Sequence, residues 1–313
     1  RLLKQFLKVH GIYGADTKTQ GLSGYCCELL IINYKDFLSL LKAASKWKPG
    51  EIIDLENFYD KKEWKEVRRK FAGQPLILID PVDKNRNTAA ALSIANFFKF
   101  KKLAKLFLKK PSIDFFKYKE KRPLSEVELI KKLRKRKTEI VVIKFSRPEV
   151  ADDIIWPQLR KFSERICSIL REYGFRDYGK EVFADENDCY VLIELEIWKL
   201  PAVEKRVGPI VFDLKGSKNF IEKYEGKALA GPYVEGRRWV VEIKRKFPSA
   251  VKKIEDSLRN PLEVLRAKGI PSYVAQEIAK DFQIFAGSEV RFLLPNRNFA
   301  KFLRDYFEKE SLA

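Results

Sequence analysis

The sequence predicts an α+β protein, in which a mainly helical N-terminal part is followed by a part that mixes strands and helices. Apolar residues recur at helical spacing through most of residues 1–110. Beyond a predicted linker at 112–123, apolar runs at 139–145 and 189–198 have strand character, and a helical pattern at 160–173 lies between them. This strand–helix–strand order fits half of a ferredoxin-like sheet.

The charge balance favours a polyanionic partner. The chain has 313 residues, enough for two or three domains, and its 63 Lys and Arg against 43 Asp and Glu give a formal net charge of +20. Nucleic acid is the first expectation for such an excess. The alternative is a thermophile-like surface rich in both signs, which explains the abundance of charges better than their imbalance.

Four cysteines and one histidine show none of the spacings of a zinc site. Cys26, Cys27, Cys167 and Cys189 are therefore predicted to be reduced thiols in the core, and His10 to lie at a helix end. No apolar run approaches the length of a membrane span, and no signal peptide is expected. These features predict a cytoplasmic protein that does not bind membranes.

The first thirty residues predict two helices joined by a glycine-flanked turn. Leu2, Leu3, Phe6 and Leu7 follow helical spacing, Gly11 can end the first helix, and Ser23 can cap the second. The candidate polar groups near the junction are Lys4, Tyr13, Ser23 and Tyr25. Ammonium, phenol and hydroxyl donors beside a helix N-terminus suit an anion. The alternative is two packed helices with ordinary surface lysines.

The following stretch predicts an amphipathic helix at 36–45, a break at 47–50, and strands at 51–54 and 74–80. A helix is expected from Ala89, capped by Asn87 or Thr88. Residues 99–110 form a basic amphipathic pattern whose lysines face solvent in the favoured interpretation. Contact with phosphates is the second interpretation, and an anionic membrane the third.

The loop at residues 80–87 is the second candidate for a functional role. Arg86, held by Asp80 or Asp83, would present a fixed fork of donors, which suits the edge of a nucleotide base. The alternative is a turn tied together by an internal salt bridge. A metal site at the two aspartates is a weak interpretation, because Pro81 and Val82 lie between them.

The C-terminal half predicts a helix from Glu126 into the basic run 131–137, a strand at 237–246 and a short segment from 220 to 233. Helices are expected at 251–258, 262–268, 273–282 and 298–309, and a last strand at 289–294. The strand at 237–246 interleaves basic and aromatic side chains, as RNA-binding surfaces do, or else is a charged edge strand. Its candidate RNA-binding residues are Arg237, Arg238, Trp239, Lys244 and Arg245.

Four segments, in the same order along nearly the whole chain, resemble the archaeal (class I) CCA-adding enzyme family of tRNA nucleotidyltransferases. Each motif is weakly specific alone, and together they are specific. The segments are Lys4-x-Phe-Leu-Lys-x-x-Gly-Ile-Tyr-Gly14, Gly21-x-Ser-Gly-Tyr25-x-Cys-Glu-Leu-Leu30, Asp80-Pro-Val-Asp83-x-x-Arg-Asn87 and Asp152-Asp-x-x-x-Pro-Gln-Leu159.

The resemblance implies a helical central domain, similar to the substrate domain of poly(A) polymerases, at residues 1–112. It implies a ferredoxin-like body at 113–200 and 255–313, with an inserted α/β tail domain at about 200–255 that binds tRNA. The implied partners are CTP, ATP and the acceptor and TΨC arms of tRNA, and a homodimer is left open.

The resemblance also implies roles for single residues. Lys4 and Tyr13 match positions that bind the triphosphate of the incoming nucleotide, and Arg86 matches the position that reads the base edge. Ser23, Asp80 and Asp83 belong to the same matched motifs, and they are expected to support this site.

One departure from the family pattern concerns catalysis. The family's head domain, with its catalytic carboxylates and Mg²⁺, is expected to precede Arg1, and residues 1–313 contain no matching motif and no predicted metal site. The intact protein is therefore predicted to be an enzyme, and this chain alone to be inactive. The alternatives are a non-catalytic RNA-binding module and a poly(A) polymerase-like relative.

Overall fold

The computed structural model describes residues 1–118, 120–309 and 311, which form two compact units. Unit 1 comprises Arg1–Arg122, Val150–Pro157 and Phe307–Ala313, and unit 2 comprises Pro123–Glu149 and Gln158–Tyr306. Helices and strands are both abundant, which confirms the predicted α+β class. The predicted segment 112–123 and the predicted range 255–313 include positions 119, 310, 312 and 313, which lie outside the described residues. The domain boundaries at 112, 200 and 255 stay predictions.

Unit 1 is mainly helical, with one pair of short parallel strands. Its elements up to residue 118 are α1 (Leu2–Val9), α2 (Gly24–Tyr34), α3 (Phe37–Ala44), β1 (Glu51–Ile53), α4 (Trp64–Lys70), β2 (Leu76–Leu78), α5 (Ile94–Lys109) and a 3-10 helix (Ile113–Phe116). Side-chain oxygens of Ser23, Asp36 and Ser93 cap α2, α3 and α5 by accepting backbone N–H groups. The predicted Ser23 cap is therefore confirmed.

The core of unit 1 is built around Phe6, whose side chain is fully buried. Its ring centroid lies 5.6–6.5 Å from those of Phe37, Phe100, Phe107, Phe115 and Phe116. Most of these rings meet edge to face, the arrangement that their quadrupoles favour. The prediction of a plain linker at 112–123 is wrong for 113–116, because Phe115 and Phe116 pack against this core.

The predicted start of the fourth helix of this region at Ala89 is also wrong. Asn87 does not cap a helix, because its side chain bonds to β2: the amide donates to Leu76 O at 2.8 Å, and its oxygen accepts from Leu78 N at 2.8 Å. Residues 88–91 form turns, and α5 begins at Ile94 after the Ser93 cap. The Asn87 side chain therefore satisfies backbone groups of the buried strand β2, and it is not available to cap a helix.

The lysines of α5 only partly face solvent. Lys99 Nζ donates to His10 O at 2.6 Å, at the C-terminal end of α1, and Lys101 Nζ donates to Trp47 O after α3. Cations bond well to these carbonyls because the last turn of a helix leaves its C=O groups without intrahelical partners. Lys105, Lys109 and Lys110 are exposed, as predicted.

Unit 2 contains two antiparallel sheets and the helices that pack on them. The strands are β3 (Glu139–Ser146), β4 (Arg176–Ala184), β5 (Asp188–Ile197), β6 (Val203–Ile210), β7 (Ala228–Glu235), β8 (Arg238–Lys244) and β9 (Gln283–Ala286). The larger sheet has the order β4-β5-β3-β9, and the smaller one has the order β6-β8-β7. The helices are α6 (Glu126–Arg136), α7 (Asp152–Glu172), α8 (Leu214–Tyr224), α9 (Ala250–Leu258), α10 (Leu262–Ala267), α11 (Ser272–Lys280) and α12 (Arg297–Phe307). The start of α7, up to Pro157, and the last residue of α12 are assigned to unit 1.

Two expectations for unit 2 are wrong. Residues 289–294 are not a strand: Gly287, at φ +55, ends β9, and a 3-10 helix (Gly287–Leu293) follows. The alternative of a charged edge strand at 237–246 is wrong too, because β8 pairs with both β6 and β7. The sequence analysis also missed α4, β4, β6, β7 and α8.

Removing the Phe6 ring should destabilise unit 1 strongly. We expect Phe6→Ala to lower the free energy of unfolding by about 3–5 kcal/mol, because the neighbouring rings cannot fill the cavity. Chemical denaturation followed by fluorescence measures this change. Ile32→Ala is the control, since Ile32 is 66% exposed and should change stability by less than about 0.5 kcal/mol. Equal midpoints for both variants would contradict the assigned core.

Candidate functional site

The backbone between α1 and α2 folds back on itself beside the start of α2. Gly14 N donates to Leu22 O at 2.9 Å, and Leu22 N donates to Ile12 O at 2.8 Å. A Cβ at Gly21 would lie 1.9 Å from Ile12 O, so only glycine permits this approach. The pairing places Tyr13 next to the first turn of α2.

Lys4 and Tyr13 meet over that first turn. A Cβ built on Gly24 would lie 3.1 Å from Tyr13 Oη and 3.6 Å from Lys4 Nζ. Gly24 is the first residue of α2, and Ser23 Oγ accepts from Cys26 N at 3.0 Å. An ammonium, a phenol and a helix N-terminus therefore come together, as the sequence predicted for an anion site.

Glu28 is a member of this cluster that the sequence analysis missed. Lys4 Nζ lies 2.7 Å from Glu28 Oε1, and the Glu28 side chain is 61% exposed. Their hydrogen bond raises the pKa of the Lys4 ammonium and lowers the pKa of the Glu28 carboxyl. The two residues are 24 positions apart, so no spacing within one helix could reveal the pair.

The Arg86 loop forms the second half of the site. Asp80, which is 3% exposed, places Oδ2 at 3.4 Å from Arg86 Nη1, while 66% of the Arg86 side chain is exposed. Asp83 is not the partner of Arg86, because its carboxylate accepts from Asn85 N at 2.9 Å. The backbone fixes the loop as well, since Asp80 N donates to Arg86 O at 3.1 Å.

Tyr25 connects the two halves. It follows Gly24 in α2, and its hydroxyl donates to Asp80 Oδ1 at 3.0 Å. The same oxygen accepts from Val82 N, also at 3.0 Å. Lys4, Tyr13 and Gly24 thus lie at the start of α2, and the next residue of that helix reaches the carboxylate that holds Arg86.

The motif at residues 152–159 supports the turn between Gly14 and Gly21. Asp153 Oδ1 accepts from Thr17 N at 3.1 Å and from Thr17 Oγ1 at 3.2 Å. Lys18 Nζ lies 5.3 Å from the centroid of the Trp156 ring, within the range of a cation–π contact. These contacts lie within unit 1 and hold the segment that precedes α2.

The basic and aromatic side chains of β8 do not share one face. Arg238 is exposed and donates to Gly208 O at 3.1 Å, whereas Trp239 is half-buried and donates to Ser217 Oγ of α8 at 2.9 Å. Successive residues of a strand point to opposite faces, which separates the two. Arg237 and Lys244 are exposed, and Arg245 Nε donates to Pro201 O at 2.9 Å.

The four cysteines of the chain lie in the protein interior. Cys26, Cys27, Cys167 and Cys189 are buried and in no disulfide. Burial raises the pKa of Cys27, Cys167 and Cys189 to about 12. In the described part of the chain, His, Cys, Asp and Glu form no group of three or more that could hold a metal ion. Nor does that part contain a helix with the length and hydrophobicity to cross a membrane.

Comparison with known proteins identifies the class of protein first. Residues 1–117 match the family model of the second domain of tRNA nucleotidyltransferases, and residues 136–287 match that of the C-terminal domain of the CCA-adding enzyme. The candidate site thus lies in the first matched range and both sheets in the second. The chain belongs to the CCA-adding enzyme family.

Curated relatives extend the similarity over nearly the whole chain. The chain is 35% identical to the CCA-adding enzyme of Methanosarcina acetivorans and 36% identical to that of Methanosarcina mazei, each over 97% of this chain. It is 34% identical over 99% of its length to the enzyme of Methanoregula boonei. The chain spans 64% of the length of the first two relatives and 63% of the third.

The Lys4–Glu28 pair can be tested directly. We expect Glu28→Gln to lower the pKa of Lys4 toward the ordinary lysine value of about 10.4, because the stabilising negative charge is removed. NMR titration of lysine Cε resonances measures the shift, and the other lysines serve as internal controls. An unchanged Lys4 pKa would contradict the pairing.

Proposed function

We propose that residues 1–313 are the central, body and tail part of a CCA tRNA nucleotidyltransferase. The intact enzyme would add and repair the 3′-terminal CCA of tRNA from CTP and ATP, without a nucleic-acid template. The observation that carries this proposal is that Lys4 and Tyr13 meet at the start of α2, where the next residue, Tyr25, bonds to the carboxylate that holds Arg86. The chain in which these contacts occur belongs to this family.

The anion site is proposed to bind the triphosphate of the incoming nucleotide. Lys4 supplies a positive charge, Tyr13 supplies a hydroxyl donor, and the first turn of α2 supplies N–H groups that lack intrahelical partners. A triphosphate must compete with Glu28 for Lys4. That exchange is feasible because Glu28 is largely exposed and regains water when it is displaced.

Arg86 is proposed to select the base. Arginine offers only donors, and a carboxylate restricts the directions in which it can present them. C and A carry an unprotonated ring nitrogen on the Watson–Crick edge, where U and G carry an N–H. A fixed donor therefore complements C and A, and it leaves an unpaired donor against U or G.

Unit 2 is proposed to bind tRNA. The larger sheet has the order second, third, first and fourth strand along the chain, with α7 between the first two, which supports a ferredoxin-like body. The smaller sheet and α8 interrupt that sequence after β5, which supports an inserted tail domain within about 200–255. The exposed basic residues Arg237, Arg238 and Lys244, with Arg245 nearby, would contact phosphates of the acceptor and TΨC arms.

The catalytic carboxylates and Mg²⁺ are proposed to belong to a head domain outside residues 1–313. The described residues offer no group that fits a metal ion, and we assign no catalytic step to them. Lys4, Tyr13 and Arg86 would bind and orient the nucleotide for an in-line attack by the tRNA 3′ hydroxyl. We therefore expect residues 1–313 alone to bind tRNA without extending it.

The proposal is tested with the full-length gene product and tRNA transcripts that lack CCA. We expect incorporation of two C residues and then one A from CTP and ATP, with tRNA affinity falling steeply as salt rises. A transcript that already ends in CCA is the control. Tight tRNA binding without any nucleotide incorporation would favour a non-catalytic RNA-binding module, and a long A tail would favour a poly(A) polymerase-like enzyme.

Arg86→Ala should weaken selection of the base. In the full-length protein we expect the ratio of kcat/KM for CTP over UTP to fall about tenfold or more, since the fixed donor is lost. Single-nucleotide addition to tRNA that lacks CCA measures the ratio. Arg69→Ala is the control, because Arg69 is an exposed arginine on α4. An unchanged ratio in Arg86→Ala would exclude the base-reading role.

Gly24→Ala should weaken binding of both CTP and ATP. The new Cβ would lie 3.1 Å from Tyr13 Oη, tighter than most Cβ contacts, so we expect the phenol to shift by a few tenths of an ångström from the helix start. Kd for each nucleotide should rise about equally, without a loss of thermal stability, because alanine has the higher helix propensity. Isothermal titration and thermal melting check both parts. A change confined to one nucleotide would contradict a triphosphate site.

A further inference from the structure

We propose that Tyr25 is a positioning residue for base selection, which acts by fixing the carboxylate that holds Arg86. The inference rests on the proposed function of Arg86 and extends it to a residue in another element. Its basis is the chain of contacts from the Tyr25 hydroxyl to Asp80 and from Asp80 to the Arg86 guanidinium.

The two carboxylate oxygens of Asp80 have different partners. Oδ1 accepts from the Tyr25 hydroxyl and from Val82 N, each at 3.0 Å. Oδ2 faces Arg86 Nη1 at 3.4 Å. Two donors on one oxygen restrict rotation of the carboxylate, which leaves the second oxygen aimed at the guanidinium.

Arg86 needs a fixed partner to hold its guanidinium in one direction. Its side chain is 66% exposed and carries considerable rotamer entropy, and an exposed ion pair at 3.4 Å is worth little by itself. Asp80 differs from an ordinary surface acid because it is 3% exposed and bonded to the backbone of its own loop. The direction of the arginine therefore depends on how firmly Asp80 is held.

The backbone of Tyr25 is fixed in a capped helix, and the residue is 42% exposed. It is the second residue of α2, whose first turn is capped by Ser23. Desolvation, followed by the hydrogen bond to Asp80, raises the pKa of the Tyr25 phenol, so the hydroxyl remains protonated and able to donate. Val82 belongs to the same loop as Asp80, whereas Tyr25 ties that loop to another element.

These contacts separate two effects at neighbouring positions. Gly24 borders the groups proposed to hold the triphosphate, which every nucleotide shares, and Tyr25 borders the carboxylate behind the base-reading arginine. Loss of the Tyr25 hydroxyl should therefore change the discrimination between nucleotides more than the affinity for all of them.

The experiment compares Tyr25→Phe and Tyr34→Phe in the full-length protein. Tyr34 is the last residue of α2, and its hydroxyl accepts from Trp47 Nε1 at 3.2 Å, so the control removes the same atom and one hydrogen bond from the same helix. We measure kcat/KM for CTP and UTP on tRNA that lacks CCA, and for ATP and GTP on tRNA that ends in CC.

We expect Tyr25→Phe to lower both selectivity ratios about tenfold, through loss of one hydrogen bond to a charged acceptor. Tyr34→Phe should retain the wild-type ratios. Wild-type ratios in Tyr25→Phe, with reduced ratios in Arg86→Ala, would overturn this inference and leave the proposed function intact. Equal losses in both tyrosine variants would also overturn it, because the cause would then be a weakened α2. Wild-type ratios in Arg86→Ala would instead remove the proposed role of Arg86.

Discussion

The close approach of residues 12–14 to residues 21–22 is the constraint on which the candidate site depends. The approach is possible only because Gly21 has no side chain to meet the Ile12 carbonyl. It brings the Tyr13 phenol to the helix that starts after Ser23, and so joins α1 to the first turn of α2. Thr17, held by Asp153, lies in the turn between the paired segments. A side chain at Gly21 would therefore disturb several residues of the candidate site together.

Burial distinguishes three of the carboxylates that pair with cations in this chain, namely Glu194, Asp80 and Glu28. Glu194 is fully buried and accepts from Arg136 at 2.6 and 2.8 Å and from Tyr306 at 2.6 Å, so this carboxylate has no exposed surface to offer a ligand. Asp80 is buried while Arg86 is exposed, an arrangement that fixes an arginine without enclosing it. Glu28 is exposed, and its bond to Lys4 can be exchanged for a ligand at low cost.

The sequence revealed features that depend on neighbouring residues and missed those that depend on distant ones. The Ser23 cap and the strand at 139–145 follow from local patterns, and the structure contains both. Glu28 was missed because its partner lies on another helix, and the cap expected at Asn87 was wrong because β2 competes for that side chain. The strands β4 and β6 each carry several charged residues and one glycine, and β7 has Gly231 and Pro232 in its middle. None of the three shows the regular apolar alternation that predicts a strand, which hid them.

Under the proposed function, the difference between lysine and arginine explains why the two halves of the site are built differently. A triphosphate is common to every nucleotide, so a compact charge such as Lys4 can bind it without strict geometry. A base edge differs between nucleotides only in the direction of its donors and acceptors, so its reader must itself be directed. The structure gives Lys4 an exposed and exchangeable partner, and it gives Arg86 a buried partner held from α2. Under the proposed function, affinity and selectivity would therefore change independently, although their residues adjoin the same helix turn.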